Sequence, residues 1–165
     1  MKKTKVMKTK FYFLFFFLVI CLVSCTKSTD PDNFIRFKVN NQWVETTVWN
    51  ASYGIITGNM LTCNVTSNMH ENEKTININV NAIEAGEYNL QSNSLLMNAA
   101  YGVYNPVYSN YLNSYIFESG KFTITEIDTI QKIYAGTFYG DVVNDEGQVI
   151  EIREGSFRSK NLKRF

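Results

Sequence analysis

The chain contains little of what metal sites and histidine-dependent catalysis require. Its 165 residues include one histidine, His70, and three cysteines. A zinc site needs a set of His, Cys or carboxylate ligands at close spacing, which this inventory does not supply. A nucleophile usually needs a neighbouring base, and His70 lies in a polar stretch that indicates a turn. We therefore expect no metal, no cofactor, no catalytic residue and no enzymatic activity.

The cysteines do not indicate a disulfide framework, because each has a different sequence environment. Cys21 lies inside an apolar run near the N-terminus, and Cys25 lies two residues after the end of that run. Cys63 alternates with Leu61 and Val65, which is typical of one face of a β-strand. We therefore expect Cys63 to be a buried thiol with no disulfide partner.

No apolar run is long enough to span a bilayer, but the longest one resembles part of a leader. Five lysines precede the run from Phe11 to Val23, and the tetrapeptide Leu22-Val23-Ser24-Cys25 ends it. A spanning helix needs about 20 apolar residues. A basic head, a short apolar segment and a small residue before the cleavage point are typical of secretory signals, and here a lipobox cysteine follows. We predict a signal peptide over residues 1–24 and lipidation of Cys25, with uncleaved insertion as the alternative.

Acylation of Cys25 would attach the protein to a membrane. The polar residues 25–33, broken by Pro31, predict a flexible tether between the lipid and the fold. We expect a lipid-anchored protein of the cell envelope, in the outer membrane. The sequence does not distinguish the periplasmic face of that membrane from the surface face. Two or three acyl chains make such attachment effectively permanent.

Charge argues against a nucleic-acid partner. The leader carries five of the sixteen basic residues and none of the fifteen acidic ones, so its removal changes the net charge from +1 to −4. The remaining basic residues are scattered, whereas nucleic-acid proteins usually cluster them on one face. The short basic tail, Lys160 to Arg164, indicates a solvated end or a weak contact with anionic headgroups.

Residues 34–165 have the alternation of a single β-domain. Apolar and polar residues alternate at period two, most clearly from Thr75 to Ile83, and no stretch keeps a helical period. Asn40-Asn41 is a hairpin candidate because asparagine tolerates a positive φ. Near Glu126 the alternation changes phase, which predicts a bulge or a strand end. We predict an antiparallel β-sandwich of about eight to ten strands, with a small closed barrel as the alternative.

Several segments resemble a family of uncharacterised lipoproteins from Bacteroidota, a domain of unknown function. The similarity is carried by Phe37 to Trp43, Ser119 to Asp128, the Gly136-Thr137-Phe138 strand and the Gly155-Ser156-Phe157 strand. It implies an all-β lipoprotein of the cell envelope and implies no catalytic residue. Asp128-Thr129-Ile130 is similar to an O-glycosylation signal of these bacteria, so Thr129 is a candidate for modification if its turn is exposed.

The segment from residue 97 to residue 117 is the strongest candidate for a ligand surface. Tyrosines alternate there with asparagines, a combination that suits sugars, because rings stack on pyranose faces and amides bridge hydroxyls. The alternative is that the rings pack a long connection onto the sheet. We expect a non-enzymatic binding or accessory module with a glycan or an envelope protein as partner; a glycan hydrolase using Glu126 with Asp128 or Glu118 is a weaker alternative. The candidate ligand residues are Tyr101, Tyr104, Tyr108, Tyr111 and Tyr115.

Overall fold

The described part of the chain is all-β, with 71% of its residues in strands. The computed structural model describes residues 32–47, 49–56, 60–67, 73–92, 99–107 and 110–164. The predicted signal peptide, Cys25, His70 and Tyr108 lie outside these residues, and so does most of the predicted tether. Among the described residues there is no α-helix, and no helix long and apolar enough to cross a membrane.

The strands of the described residues follow the predicted alternation. Apolar and polar residues alternate from Phe34 to Val39 and from Ile133 to Val143, and each of these runs is one strand with the same bounds. A three-residue 3₁₀ helix, Tyr111–Asn113, precedes the eighth strand. The strands are β1 (Phe34–Val39), β2 (Gln42–Thr46), β3 (Trp49–Ile56), β4 (Met60–Ser67), β5 (Thr75–Val80), β6 (Gly86–Leu90), β7 (Ala99–Asn105), β8 (Tyr115–Asp128), β9 (Ile133–Val143), β10 (Val149–Ser159) and β11 (Lys163–Arg164).

The strands form one curled sheet, so the predicted sandwich of two facing sheets was not confirmed. Their order is β11-β3-β4-β5-β7-β6-β8-β9-β10-β1-β2, with a further pairing of β7 and β8. The sheet is mixed, because β6 pairs with β7 and β11 pairs with β3 in parallel. It forms a half-barrel, which is closer to the alternative of a closed barrel.

Contacts between distant strands show how strongly the sheet curls. Counted through the direct pairing of β7 with β8, Phe37 on β1 and Tyr104 on β7 are four strand spacings apart. In a flat sheet this would be about 19 Å. Their ring centroids are 6.4 Å apart. The link from Thr46 at the end of β2 to Trp49 at the start of β3 contains two residues, so these two points lie within about 11 Å of each other. In the strand order, β2 is one edge of the sheet and β3 lies next to the other edge. The inner face of the sheet therefore encloses a single core.

Bulges contribute to this curvature, since an extra residue bends and twists a strand. The pairing of β8 with β9 shifts register between Phe117 and Ser119 and again between Ile124 and Glu126. The second shift confirms the bulge predicted near Glu126. Strand β8 continues through Ser119 and Gly120, because the first bulge bends the chain without interrupting the pairing with β9.

Rings from neighbouring strands fill the core beside the two Gly-containing motifs. In the register of β9 with β10, Gly136 lies opposite Phe157 and Phe138 lies opposite Gly155. A Cβ on Gly136 would lie 2.7 Å from the Phe157 ring, and a Cβ on Gly155 would lie 2.5 Å from the Phe138 ring. Each glycine therefore leaves space for the phenylalanine of the other motif, and Phe122 stacks on both rings.

The turn predicted at Asn40-Asn41 joins β1 to β2 as expected. Both residues have positive φ angles, 47° and 65°. Asparagine adopts this left-handed region more readily than most residues, and a pair of such residues is typical of a type I′ hairpin. The Asn40 side chain also accepts a hydrogen bond from the Glu151 backbone N–H at 3.4 Å, which connects the turn to β10.

Candidate functional site

The sheet has two ends that differ in their connections. We call one the cleft end; it carries the turn Asn40-Asn41, the turn from Asn144 to Gln148 and the connection from Pro106 to Ser114. These connections lie together because Val143 pairs with both Ile116 and Val149. The opposite end, which we call the tether end, carries Asp32, the turn from Thr129 to Lys132 and the tail from Lys160 to Arg164. Strand β10 runs between them over eleven residues, a length of about 36 Å.

A cleft of about 400 Å³ lies at the cleft end, between the connection that precedes β8 and the turn that precedes β10. Its lining is mostly polar and uncharged, with four carboxamides, one tyrosine and one carboxylate. Two apolar residues complete the wall, and no lysine or arginine is among the lining residues. The lining consists of Pro106, Val107, Asn110, Asn113, Tyr115, Asn144, Glu146 and Gln148.

The turn from Asn144 to Gln148 is closed by the side chain of its first residue. Asn144 Oδ1 accepts hydrogen bonds from the backbone N–H groups of Glu146 at 3.2 Å and Gln148 at 2.8 Å. This is the local bonding that asparagine makes readily in turns. Gly147 follows with φ of 77°, a conformation that favours glycine. The turn is therefore a fixed wall of the cleft.

The opposite wall is joined to this turn through a tyrosine hydroxyl. The Tyr115 hydroxyl donates to Gln148 Oε1 at 3.0 Å, and Asn144 Nδ2 donates to the same oxygen at 3.0 Å. Gln148 Oε1 is thus occupied, while the Gln148 amide nitrogen is left to donate. Asn110 and Asn113 are exposed and make no side-chain hydrogen bond to another described residue. The cleft therefore offers polar groups that are held by hydrogen bonds within the protein, on Tyr115, Asn144 and Gln148. It also offers the amides of Asn110 and Asn113, which can bond to a ligand.

The structure separates the tyrosines that the sequence grouped together. Tyr104 is 1% exposed and packs inside the half-barrel, and Tyr115 is also buried, so these two rings are not available for stacking. Tyr101 is partly exposed, on the opposite face from Tyr104. The odd spacing of Tyr101 and Tyr104 explains this separation, because residues three apart in a strand point to opposite faces. Tyr108 and the side chain of Tyr111 lie outside the described part of the chain.

Burial raises the pKa of Tyr88, Tyr104 and Tyr134 and of the thiol. The pKa of Tyr104 rises to about 12 through burial and the neighbouring Tyr115, and the pKa of Tyr134 lies well above its ordinary value. Burial raises the pKa of Cys63 to about 12. Cys63 has no disulfide partner and lies beside Tyr134, whose hydroxyl makes no well-formed hydrogen bond within the described residues. These groups are core residues that stay protonated at neutral pH.

Sequence reasoning missed one wall of the cleft, three of its eight lining residues. Asn144, Glu146 and Gln148 follow β9 and lie far along the chain from the tyrosine-rich segment, and their sequence pattern indicates only a turn. The pairing of Ile116 with Val143 brings the two segments together. A prediction that β8 and β9 form a hairpin would have placed Asn144 next to Tyr115, so strand pairing was the missing signal.

Two of the three carboxylates considered for a hydrolase, Glu126 and Asp128, are engaged in structural contacts. Glu126 forms an ion pair with Arg158 at 2.7 Å. Asp128 Oδ1 accepts hydrogen bonds from the backbone N–H groups of Ile130 and Gln131, both at 2.8 Å, and so closes the turn between β8 and β9. Thr129 lies in this turn and is exposed, which is the placement that modification requires. No group of three His, Cys, Asp or Glu residues suited to a metal occurs among the described residues.

Two exposed aromatic rings lie on the outer face, away from the cleft. Trp43 on β2 is 52% exposed and Tyr139 on β9 is 51% exposed. Lys38 lies between them, opposite Trp43 in the pairing of β1 with β2, with its ammonium 4.9 Å from the Trp43 ring centroid. Lys38 also forms an ion pair with Glu154 at 2.7 Å. The residues Trp43, Lys38, Glu154 and Tyr139 form what we call the aromatic strip.

Comparison with known proteins places the chain in a family without assigning a site. No curated protein and no solved structure gives a significant match. The model of a family described as "Domain of unknown function (DUF6252)" matches residues 32–159. That range includes β1 to β10 and every residue that lines the cleft. The chain belongs to the DUF6252 family.

Proposed function

We propose that this protein is a lipid-anchored, non-enzymatic binding module of the cell envelope, and that its cleft binds a neutral glycan. The lining of the cleft is the observation that supports glycan binding. Its lining combines four carboxamides with one tyrosine hydroxyl and no cationic side chain. Amides donate and accept hydrogen bonds at once, as sugar hydroxyls do. The lining therefore matches an uncharged, hydroxyl-rich ligand better than a phosphate or a carboxylate.

The volume of the cleft also agrees with a small oligosaccharide. About 400 Å³ lies within the usual range of ligand sites. Pro106 and Val107 supply apolar surface against which the C–H face of a sugar can lie. Glu146 is the single carboxylate of the lining and would disfavour acidic sugars, since like charges repel. These features support a neutral sugar.

The lipid anchor is supported by the leader pattern and by the direction of the chain. Asp32 enters the fold at the tether end, where it pairs with Lys160 at 2.5 Å. A lipid on Cys25 would hold that end toward the membrane. The cleft, about 36 Å away along β10, would then face outward, where glycans can reach it.

Binding of neutral oligosaccharides to the mature chain tests the cleft directly. We expect Asn110→Ala and Asn113→Ala to weaken binding about 2- to 10-fold each, because each removes a hydrogen bond to the ligand. Titration calorimetry on ligands chosen from a glycan array would measure this. Both side chains make no hydrogen bond to another described residue, so the variants should fold. Asn89→Ala, an exposed asparagine on β6, is the matched control. No binding to any glycan, or equal losses in the control, would contradict the proposal.

An envelope protein is the second candidate partner, and the aromatic strip favours it. Tryptophan, tyrosine and arginine are enriched in the energetic centres of protein interfaces. Arg36 lies near the Trp43 ring, with its guanidinium 5.7 Å from the centroid. Trp43→Ala should abolish capture of such a partner in crosslinking from intact cells, whereas glycan binding in the cleft should be unchanged.

A further inference from the structure

An exposed isoleucine occupies the tip of the turn at the tether end. Ile130 is 91% exposed. The Asp128 carboxylate accepts the backbone N–H of Ile130, so the turn is fixed and the side chain points away from the fold into solvent. A large aliphatic side chain held in this position contributes nothing to the core. It is available to an apolar environment outside the protein.

Exposed cationic side chains lie on this turn and on the tail that is bonded to it. Lys132, Lys163 and Arg164 are exposed, and none of them forms an ion pair with another described residue. The tail is held against the turn, because the Leu162 backbone N–H donates to the Lys132 carbonyl oxygen at 2.9 Å and the Leu162 side chain is buried. The apolar tip and the free cations therefore belong to one surface, which we call the basic tip.

The cleft end carries an exposed aliphatic residue as well, but in a different electrostatic setting. Leu112 is 95% exposed. Its end of the sheet carries the acidic turn residues Asp145 and Glu146, and the cleft lining there includes no lysine or arginine. Of the two ends of the described half-barrel, the tether end is the one where an exposed aliphatic side chain lies with exposed cations that have no ion-pair partner. That combination is typical of protein surfaces that bind anionic lipids.

The chain before the fold fits this assignment. Asp32 pairs with Lys160, next to the basic tip. Seven peptide steps separate Cys25 from Asp32, which span at most about 25 Å. An acylated Cys25 therefore keeps the basic tip within that distance of the membrane. The lysines can then contact headgroups while Ile130 reaches the acyl boundary.

We propose that the basic tip is a membrane-contact surface that recognises anionic lipid headgroups and inserts Ile130. The orientation rests on the proposed lipid anchor, but the contact itself does not need the acyl chains. It orients the half-barrel on the bilayer and keeps the cleft directed away from it. The lipid anchor attaches the protein to the membrane, and the basic tip fixes the orientation of the half-barrel relative to the bilayer.

Vesicle binding of the non-acylated protein tests this surface separately from the anchor. The mature chain (residues 25–165), which contains all eleven strands of the described residues, would carry Cys25→Ser. We expect it to co-sediment with vesicles of phosphatidylcholine and phosphatidylglycerol, and not with phosphatidylcholine alone. Ile130→Ser should lower the partition coefficient about 10-fold, and Lys132→Ser about 5-fold. High salt should abolish the binding, since it screens the charges.

Matched variants decide between this surface and general stickiness. Leu112→Ser removes an equally exposed aliphatic residue at the opposite end and should leave vesicle binding unchanged. Lys121→Ser removes a lysine that is already paired with Glu87 and should also have no effect. Absence of binding to anionic vesicles would overturn the proposal even if Cys25 is acylated in cells. Equal losses for Leu112→Ser and Ile130→Ser would overturn it as well.

Discussion

At the scale of single residues, burial rather than chemistry explains the conspicuous side chains. Cys63 and Tyr104 would attract attention in a search for reactive groups, yet both lie in the core with raised pKa values. The sequence allowed the burial of Cys63 to be predicted, because alternation with Leu61 and Val65 places it on an apolar face. The tyrosine-rich composition of the segment does not distinguish Tyr104 from Tyr101. Their spacing of three residues does, because it places the two rings on opposite faces of β7.

The raised pKa values predict a loss of stability at alkaline pH. In the unfolded chain the Cys63 thiol ionises near its ordinary pKa of 9.0, whereas in the folded protein it keeps its proton up to about 12. The folded state then binds more protons than the unfolded state, so the free energy of unfolding falls as pH rises through this window. Each such group contributes a slope of about 1.4 kcal/mol per pH unit.

Urea unfolding at a series of pH values between neutrality and pH 11 would measure this slope. We expect Cys63→Val to unfold with a shallower dependence on pH than the wild type, because it removes one of the titrating groups and approximately keeps the volume of the side chain. Identical slopes in both proteins would mean that the thiol is not buried in the folded state.

At the scale of elements, the two motifs of the C-terminal strands form one packing unit. Gly136-Thr137-Phe138 and Gly155-Ser156-Phe157 run antiparallel, so each phenylalanine lies opposite the glycine of the other motif. The sequence supplied the bounds of β9 and the bulge near Glu126, since both depend on local alternation. It did not supply this reciprocal packing or the parallel pairing of β6 with β7, since both depend on which strands meet.

Adding a methyl group at either glycine should destabilise the sheet. A Cβ on Gly136 would lie 2.2 Å from the Thr123 carbonyl oxygen, besides its contact with the Phe157 ring. We expect Gly136→Ala to lower the free energy of unfolding by about 1–3 kcal/mol, the usual cost of overpacking. Thermal or denaturant unfolding would measure the change. Thr137→Ala, on the exposed face of the same strand, is the control and should change stability far less.

At the scale of the whole molecule, the half-barrel places two different surfaces at opposite ends of β10, a path of at most about 36 Å. The basic tip lies beside the entry of the chain at Asp32, and the cleft lies at the far end of β10. All-β architecture was predictable from period-two alternation over residues 34–165. Closure into one curled sheet was not, because it depends on bulges and on contacts such as that between Phe37 and Tyr104, which join strands far apart in the sequence.

Acylation of Cys25 would fix which end of the half-barrel faces the membrane, so the orientation of both proposed surfaces depends on it. Metabolic labelling with palmitate, followed by mass spectrometry of the native N-terminus, tests it directly. We predict that the label enters the wild type and not Cys25→Ala, and that the mature chain begins at an acylated Cys25. A native chain that begins at Met1, or a mature N-terminus without fatty acid, would contradict the account.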